Sequence, residues 1–378
     1  MKTPALSPTV DSSGLYSPDI GLPATSIRPN WSLRPLLSRH ESEKVFAGLI
    51  APGRIADGSL ERRGVLFSEM FRLFASTCPS PCWSPGLKLT GEMRRQAEIY
   101  LPIAEIRPAL HRLVRLSLSG DHPAPPLLES AGCWLDLLEN LPSQIACINP
   151  GRFVARMLKD DAARSIFLFS CYLPERFGGD FGRYPGQSEF IREWAVSSAG
   201  RWGRRLSCLD AACGTGEGLY ELAKILLASG IPPGDIRITG VTISPLEVYA
   251  AASGNFPHLP WRKAAFGDFV RPLAETGALA GCRFIADDLK TWEPPERYHL
   301  IVCNGLLGGP LMHDRDAVSR VVAKLAGSLH AGGALLAADR FHGGWKKLVS
   351  PSDLGQILAA RGLSPLSIAE GVGGIWGG

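Results

Sequence analysis

The chain has 378 residues, of which 45% are apolar, enough for a large buried core and for two domains. Its net charge of +4 is too small and too dispersed for a nucleic-acid binder, which gathers basic residues on one face. No run of about 18 apolar residues offers a membrane span, and no apolar h-region of a signal peptide opens the chain, so a cytoplasmic protein is expected. The nine cysteines are scattered. Their closest pair, Cys78 and Cys82, lacks the second pair or the histidine that would complete a zinc set, so reduced thiols and no metal are expected.

Residues 1–40 carry prolines at 4, 8, 18, 23, 29 and 35 among serines and threonines. Such a segment resists regular structure and is expected to be flexible. From Ser59 a helical stripe follows, with Phe67, Met70, Phe71 and Phe74 on one face. A proline-rich connection over 79–85 leads to a second helical region. Ile106, Ala109, Leu110 and Leu113 mark its buried side, while Arg94, Arg95, Arg107, Arg112 and Arg115 read as a solvated face. DHPAPPLL, residues 121–128, is a further break. Helical patterns then recur near 127–140, 152–158 and 162–173. Residues 41–175 therefore read as a mostly helical domain, and 176–378 as a second one. The glycine-rich segment RFGGDFGRYPGQSEFIREW, residues 176–194, runs into a helix over 188–199 and is placed to fold over whatever the second domain binds.

The second domain is organised around LSCLDAACGTGEGLY, residues 206–220. A short apolar run from Leu206 to Leu209 reads as a buried strand. Gly214-Thr215-Gly216-Glu217-Gly218 then turns into a helical pattern with Leu219, Leu222, Ala223 and Leu226. Strand, glycine turn and helix form half of a βαβ unit. Glycines let the backbone take positive φ and let a ligand come close, and the helix start offers unpaired N–H groups. A dinucleotide fingerprint would read G-x-G-x-x-G, whereas this turn reads G-x-G-x-G with Asp210 four residues ahead of it. An acid there repels a pyrophosphate and suits a cation such as the amino group of S-adenosylmethionine (SAM). An NAD-dependent oxidoreductase is disfavoured on the same ground.

Further strands are expected over 236–244, from Cys282 (CRFIADDLKTW), over 298–304, over 330–339 and, as a closing strand, over 368–376. A helix is expected to start near Asp353 behind Ser350 and Pro351. Ligands of a doubly wound sheet sit beyond the carboxyl ends of its strands, which places Asn304 at the reacting face.

The stretch around Asp210 and Gly214-Thr215-Gly216 resembles motif I of the class I SAM-dependent methyltransferases. The resemblance implies an α/β, Rossmann-like domain with a doubly wound, mostly parallel sheet, preceded here by the helical domain. It also implies SAM as cofactor, contacted by Asp210, Ala212, Gly214, Thr215 and Gly216. In most of that superfamily the second strand ends in an acid that holds the ribose; here Thr242 stands there. The replacement is similar to the cyclopropane-fatty-acid-synthase branch, which implies that Thr242 and Glu247 share the ribose. Asp288, with Asp287 as its competitor, matches the acid that accepts from the adenine amino group. Leu289 would lie against the ring, and Asn304 would border the cofactor.

Among branches, the chain is most similar to the chemotaxis-receptor glutamate methyltransferases. Gly214-Thr215-Gly216-Glu217 with Tyr220 three residues on, Ala251-Ala252-Ser253-Gly254-Asn255-Phe256, and Cys303-Asn304-Gly305-Leu306-Leu307 carry that similarity over roughly residues 181–342. The family's upstream F-F-R has no partner in register, and Arg183 lies near its place. The resemblance implies transfer of a methyl group to a carboxylate oxygen, on a protein glutamate or a small acid. Asn304 and Arg183 are then the candidate catalytic residues, the arginine orienting an anionic acceptor. A carboxylate needs no general base, and His313 is the best base within reach of a hydroxyl or amine acceptor. Two alternatives stand beside this reading: a non-catalytic SAM-binding sensor or scaffold, and a small-molecule O- or N-methyltransferase.

Overall fold

A computed structural model describes residues 31–78, 83–120, 122–173, 180–198, 205–309, 312–338 and 349–377. Most of the proline-rich N-terminal segment lies outside the described residues, as do Cys82, Asp121, Arg176 and Asp339.

The described chain opens with strand β1 (Trp31–Leu33). Helices α1 (Arg39–Leu49), α2 (Gly58–Thr77), α3 (Gly91–Tyr100), α4 (Ile103–Ser117), α5 (Pro126–Ser130), α6 (Trp134–Glu139), α7 (Pro150–Lys159) and α8 (Asp161–Tyr172) follow. Polar caps start several of them. Ser38 and Glu41 form a reciprocal box at α1, and Asp57, Thr90, Asn149 and Asp160 each accept from a backbone N–H at the next helix start. The stripe of α4 buries Ile106, Ala109, Leu110 and Leu113, as its spacing requires. Of the arginines expected on a solvated face, Arg94, Arg95 and Arg115 are exposed, whereas Arg107 and Arg112 are tied down. Arg107 donates to the carbonyls of Leu128 and Ala131, and Arg112 grips the Asp57 carboxylate with two N–H groups. Charge alone does not separate a solvated arginine from one that caps a neighbouring turn.

The second half alternates strand and helix around one sheet. Its elements are α9 (Pro185–Ser198), β2 (Leu206–Asp210), α10 (Glu217–Ala228), β3 (Ile236–Thr242), α11 (Pro245–Ser253), α12 (Pro260–Glu275), β4 (Cys282–Ala286), β5 (Tyr298–Val302), α13 (Arg315–Gly327), β6 (Leu329–Ala338), α14 (Pro351–Ala360), β7 (Leu363–Ile368) and β8 (Gly371–Trp376). The eight strands lie in the order β1-β4-β3-β2-β5-β6-β8-β7. Pairings among β4, β3, β2, β5 and β6 are parallel, and β1 and β8 run antiparallel to their neighbours. This is the α/β, Rossmann-like, doubly wound and mostly parallel sheet expected from the sequence.

Strand residues alternate between two cores. Cys208, Phe284, Leu300 and Leu336 face a core shared with the helices of the first half. Leu209, Ile285, Ile301 and Leu335 face a second core under α13 and α14.

Two elements depart from expectation. Trp31–Leu33 lies within the segment expected to be flexible, yet it pairs with β4 along the sheet edge. A short edge strand is set by the partner it pairs with more than by its own composition. The closing strand is a hairpin of two, β7 and β8, with Pro365 in the outer strand, where a missing N–H is tolerated. The connection from β3 to β4 holds two helices, α11 and α12. Among the described residues, no helix is long and apolar enough to cross a membrane.

Candidate functional site

The chain leaves β2 toward β3 on one side and reaches β5 on the other, so the sheet order reverses at the carboxyl end of β2. Crevices for ligands open at such points. The backbone pins the turn there: Ala211 N donates to Val302 O (2.7 Å), Cys213 N to Val241 O (3.0 Å), and Gly216 N back to Cys213 O (2.8 Å). Gly214 has φ 50° and Gly216 φ 89°, conformations that a residue with a Cβ adopts only under strain. A Cβ on Gly214 would meet nothing within 4 Å, so that position looks into open space. A Cβ on Gly216 would stand 2.9 Å from Ala251 and from the Phe284 ring, so that glycine is needed for packing.

Asp210 ends β2 with its carboxylate against the first turn of α10, where a Cβ on Gly218 would lie 2.7 Å from Oδ2. Burial pushes its pKa up to about 7, with the Ala212 N–H opposing and the charges of Glu217 and Glu221 adding to the rise. The hydroxyl of Thr215 donates to Glu217 (2.6 Å) and accepts from Arg262 of α12 (2.6 Å), while Arg262 pairs with Glu217 at 2.7 Å. All three are buried.

Thr242, at the end of β3, and Glu247, in α11, meet in a hydroxyl–carboxylate hydrogen bond. Burial lifts Glu247 to about 7, opposed by the Thr242 bond. Asp210, Thr215, Glu217, Thr242 and Glu247 are thus brought together around the glycine turn, with Ala212 half-buried inside it.

Asp287 and Asp288 follow β4. Asp287 accepts from the Asp288 N–H and Asp288 from the Lys290 N–H, so both carboxylates shape the turn and neither stands out as the adenine partner. Leu289 is buried in the second core.

Asn304 lies just past β5 with both ends of its amide hydrogen-bonded. Its Oδ1 accepts from Ala338 N (2.8 Å) and Gln187 Nε2 (3.1 Å), and its Nδ2 donates to Gln187 Oε1 (2.7 Å). That pair fastens α9 across the strand ends. Glu370, in the β7–β8 turn, accepts from the N–H groups of Gly186 and Gln187 and holds the same helix start. Arg183, on the strap leading into α9, lies with its guanidinium 5.4 Å from the Tyr184 ring centre and acts on Glu221 of α10. Gly182 N also donates to Glu221. Arg183 thus sits on the strap leading into α9, and Asn304, just past β5, anchors that helix through Gln187. His313 is exposed.

Two features that carry the family resemblance meet directly: the Tyr220 hydroxyl donates to the Ala251 carbonyl (2.8 Å). Arg262, Gln187 and Glu370 were not singled out by sequence. Arg262 did leave a trace, because it falls on the stripe of Phe266, Val270 and Leu273, which α12 buries.

No family model and no curated protein matches the chain. Solved structures match it weakly. An O-methyltransferase segment of StiE (residues 942-1257) is 18% identical over 48% of this chain, with a TM-score of 0.30. The chain spans about half, 52%, of that segment's length. The N-methyltransferase NodS from Bradyrhizobium japonicum WM9, in complex with S-adenosyl-l-homocysteine, is 15% identical over 53% of this chain and 94% of its own, with a TM-score of 0.34. The sugar N-methyltransferase KedS8 from Streptoalloteichus sp ATCC 53650 is 19% identical over 53% of this chain and 89% of its own, also at 0.34. Likeness at this level assigns no activity, and the functional reading rests on the site itself.

Proposed function

We propose that this protein is a SAM-dependent methyltransferase whose acceptor is a carboxylate, on a protein glutamate or a small acid. The observation that carries the proposal is the glycine turn at the reversal point of the sheet, open at Gly214 and flanked by Asp210 and Glu247. Carboxylates around an open cradle fit a ligand that brings an ammonium and a sulfonium, and they do not fit a pyrophosphate. In this reading Thr242 and Glu247 take the ribose, the turn from Asp210 to Gly216 takes the methionine end, and Leu289 with Asp287 or Asp288 borders the base. Bound SAM would supply an electrophilic methyl group for in-line displacement. The protein's task is then to hold the acceptor oxygen in line and keep water out, and such positioning supplies roughly 7–11 kcal/mol of a barrier. The α9 strap, fixed through Gln187–Asn304 and Glu370, would cover the side from which an acceptor comes, and Arg183 would orient its anionic group.

Incubation with methyl-labelled SAM and a soluble cell extract, followed by mild alkali, tests the acceptor. A carboxyl methyl ester releases its label as volatile methanol. Label that enters product but survives alkali would reject the carboxylate and leave a hydroxyl or amine acceptor. Bound SAM with no labelled product would favour the non-catalytic alternative.

The raised carboxylates add a pH dependence. Asp210 and Glu247 titrate near 7 in the free protein and near 4 when unfolded, so both hold protons that a cationic ligand must expel. Their contribution to stability is present at low pH and is lost as pH rises from about 4 through 7. SAM affinity runs the other way: it should rise with pH up to about 7 and level off above, by at most about tenfold per unit for each proton released. Calorimetry in two buffers of different ionisation enthalpy counts the protons. Affinity that does not change between pH 5.5 and 7.5 would place both carboxylates outside the ligand's field.

A further inference from the structure

We infer that Arg262 is a positioning residue for the donor site, acting through Thr215 and Glu217; the inference rests on the SAM-binding reading above. Arg262 is only 7% exposed, on the side of α12 that carries Phe266, Val270 and Leu273 into the core. A buried ion pair adds little stability over apolar residues of the same volume, so its presence points to a geometric task. One nitrogen, Nη2, bonds both the Thr215 hydroxyl (2.6 Å) and the Glu217 carboxylate (2.7 Å). These residues flank Gly216, the left-handed residue on which the turn depends. The guanidinium therefore staples both sides of the turn to α12, and the Phe256 ring backs it at 4.6 Å.

The charges around this staple are mostly acidic. Asp210 faces it from β2, Cys213 from the turn, Glu221 from α10 with Lys224 and Arg183 acting on it, and Glu247 from α11. His258, ahead of α12, bonds the Leu173 carbonyl at 2.7 Å and is pushed down to about 4 by burial, so it is neutral at physiological pH. Without Arg262, Glu217 would be a buried carboxylate among carboxylates, and Thr215 would lose the donor that fixes its hydroxyl.

The test uses S-adenosylhomocysteine, whose sulfur carries no charge, so that its affinity reports turn geometry more than net charge. Arg262→Met should weaken its binding by at least about tenfold at pH 8. The loss should shrink toward pH 6, because a buried carboxylate stripped of its cation takes up a proton more readily. The double variant Arg262→Met/Glu217→Gln, which leaves no charge uncompensated, should regain most of the affinity at pH 8. Arg262→Lys keeps the charge but loses the planar fork, and should bind more weakly than wild type by a few-fold, about threefold or more. It serves also if the methionine variant does not fold. Binding by folded Arg262→Met or Arg262→Lys that equals wild type overturns the inference. So does a loss that is the same at every pH and is not restored in the double variant, which would mark a purely structural pair. If wild type itself binds neither SAM nor S-adenosylhomocysteine, the SAM reading fails first; if wild type binds and the variants are unaffected, only the inference fails.

Discussion

Gly214→Val is expected to fold and to lose SAM. Its Cβ would meet no protein atom within 4 Å, so the cost to the fold comes from the backbone conformation. Its φ of 50° is in the left-handed region, where a side chain costs roughly 1–2 kcal/mol. A marginal fall in melting temperature should follow. The branched side chain would stand in the open cradle in front of the turn. Overpacking a filled site costs about 1–3 kcal/mol, so affinity should drop by roughly fivefold to 150-fold. Gly216→Val should behave differently. Its Cβ would press on Ala251 and Phe284, so the defect should be in folding itself. Melting curves alongside titrations separate the two. Undiminished SAM binding by Gly214→Val would mean that the ligand lies elsewhere.

Phe284→Ala should be strongly destabilising. The ring is fully buried in β4, 5.7 Å from the Tyr220 ring centre, and it fills the space beside Gly216 and Gly240. Tyr220 in turn reaches Ala251 through its hydroxyl. Removing the ring opens a cavity where the glycine turn, β3 and α11 meet. Loss of a buried phenylalanine typically costs about 3–5 kcal/mol, and urea unfolding should show a loss of that order. The floor of the turn would go with it, so whatever folded protein remains should bind SAM more weakly. A loss under about 1 kcal/mol would show that neighbouring side chains collapse into the space.

Much of this was legible in the sequence, for local reasons. Leu206–Asp210, the glycine turn and α10 are adjacent in the chain, and each obeys a rule of short range: a run of buried strand residues, positive φ at glycine, a 3.6-residue stripe. The Thr242–Glu247 bond spans five residues at one helix start and was also within reach. What escaped was assembled over long separations. Arg262 meets Glu217 across 45 residues, Gln187 meets Asn304 across 117, and Glu370 caps α9 from 184 residues away. Nothing in the neighbouring residues announces such partners. The same holds for Trp31–Leu33, whose strand is dictated by β4.

The most direct test of the account is a calorimetric titration of the purified protein with SAM, S-adenosylhomocysteine and NAD. The glycine turn with Asp210 beneath it predicts saturable one-to-one binding of the first two and none of NAD. Tight binding of NAD with no response to SAM would contradict it.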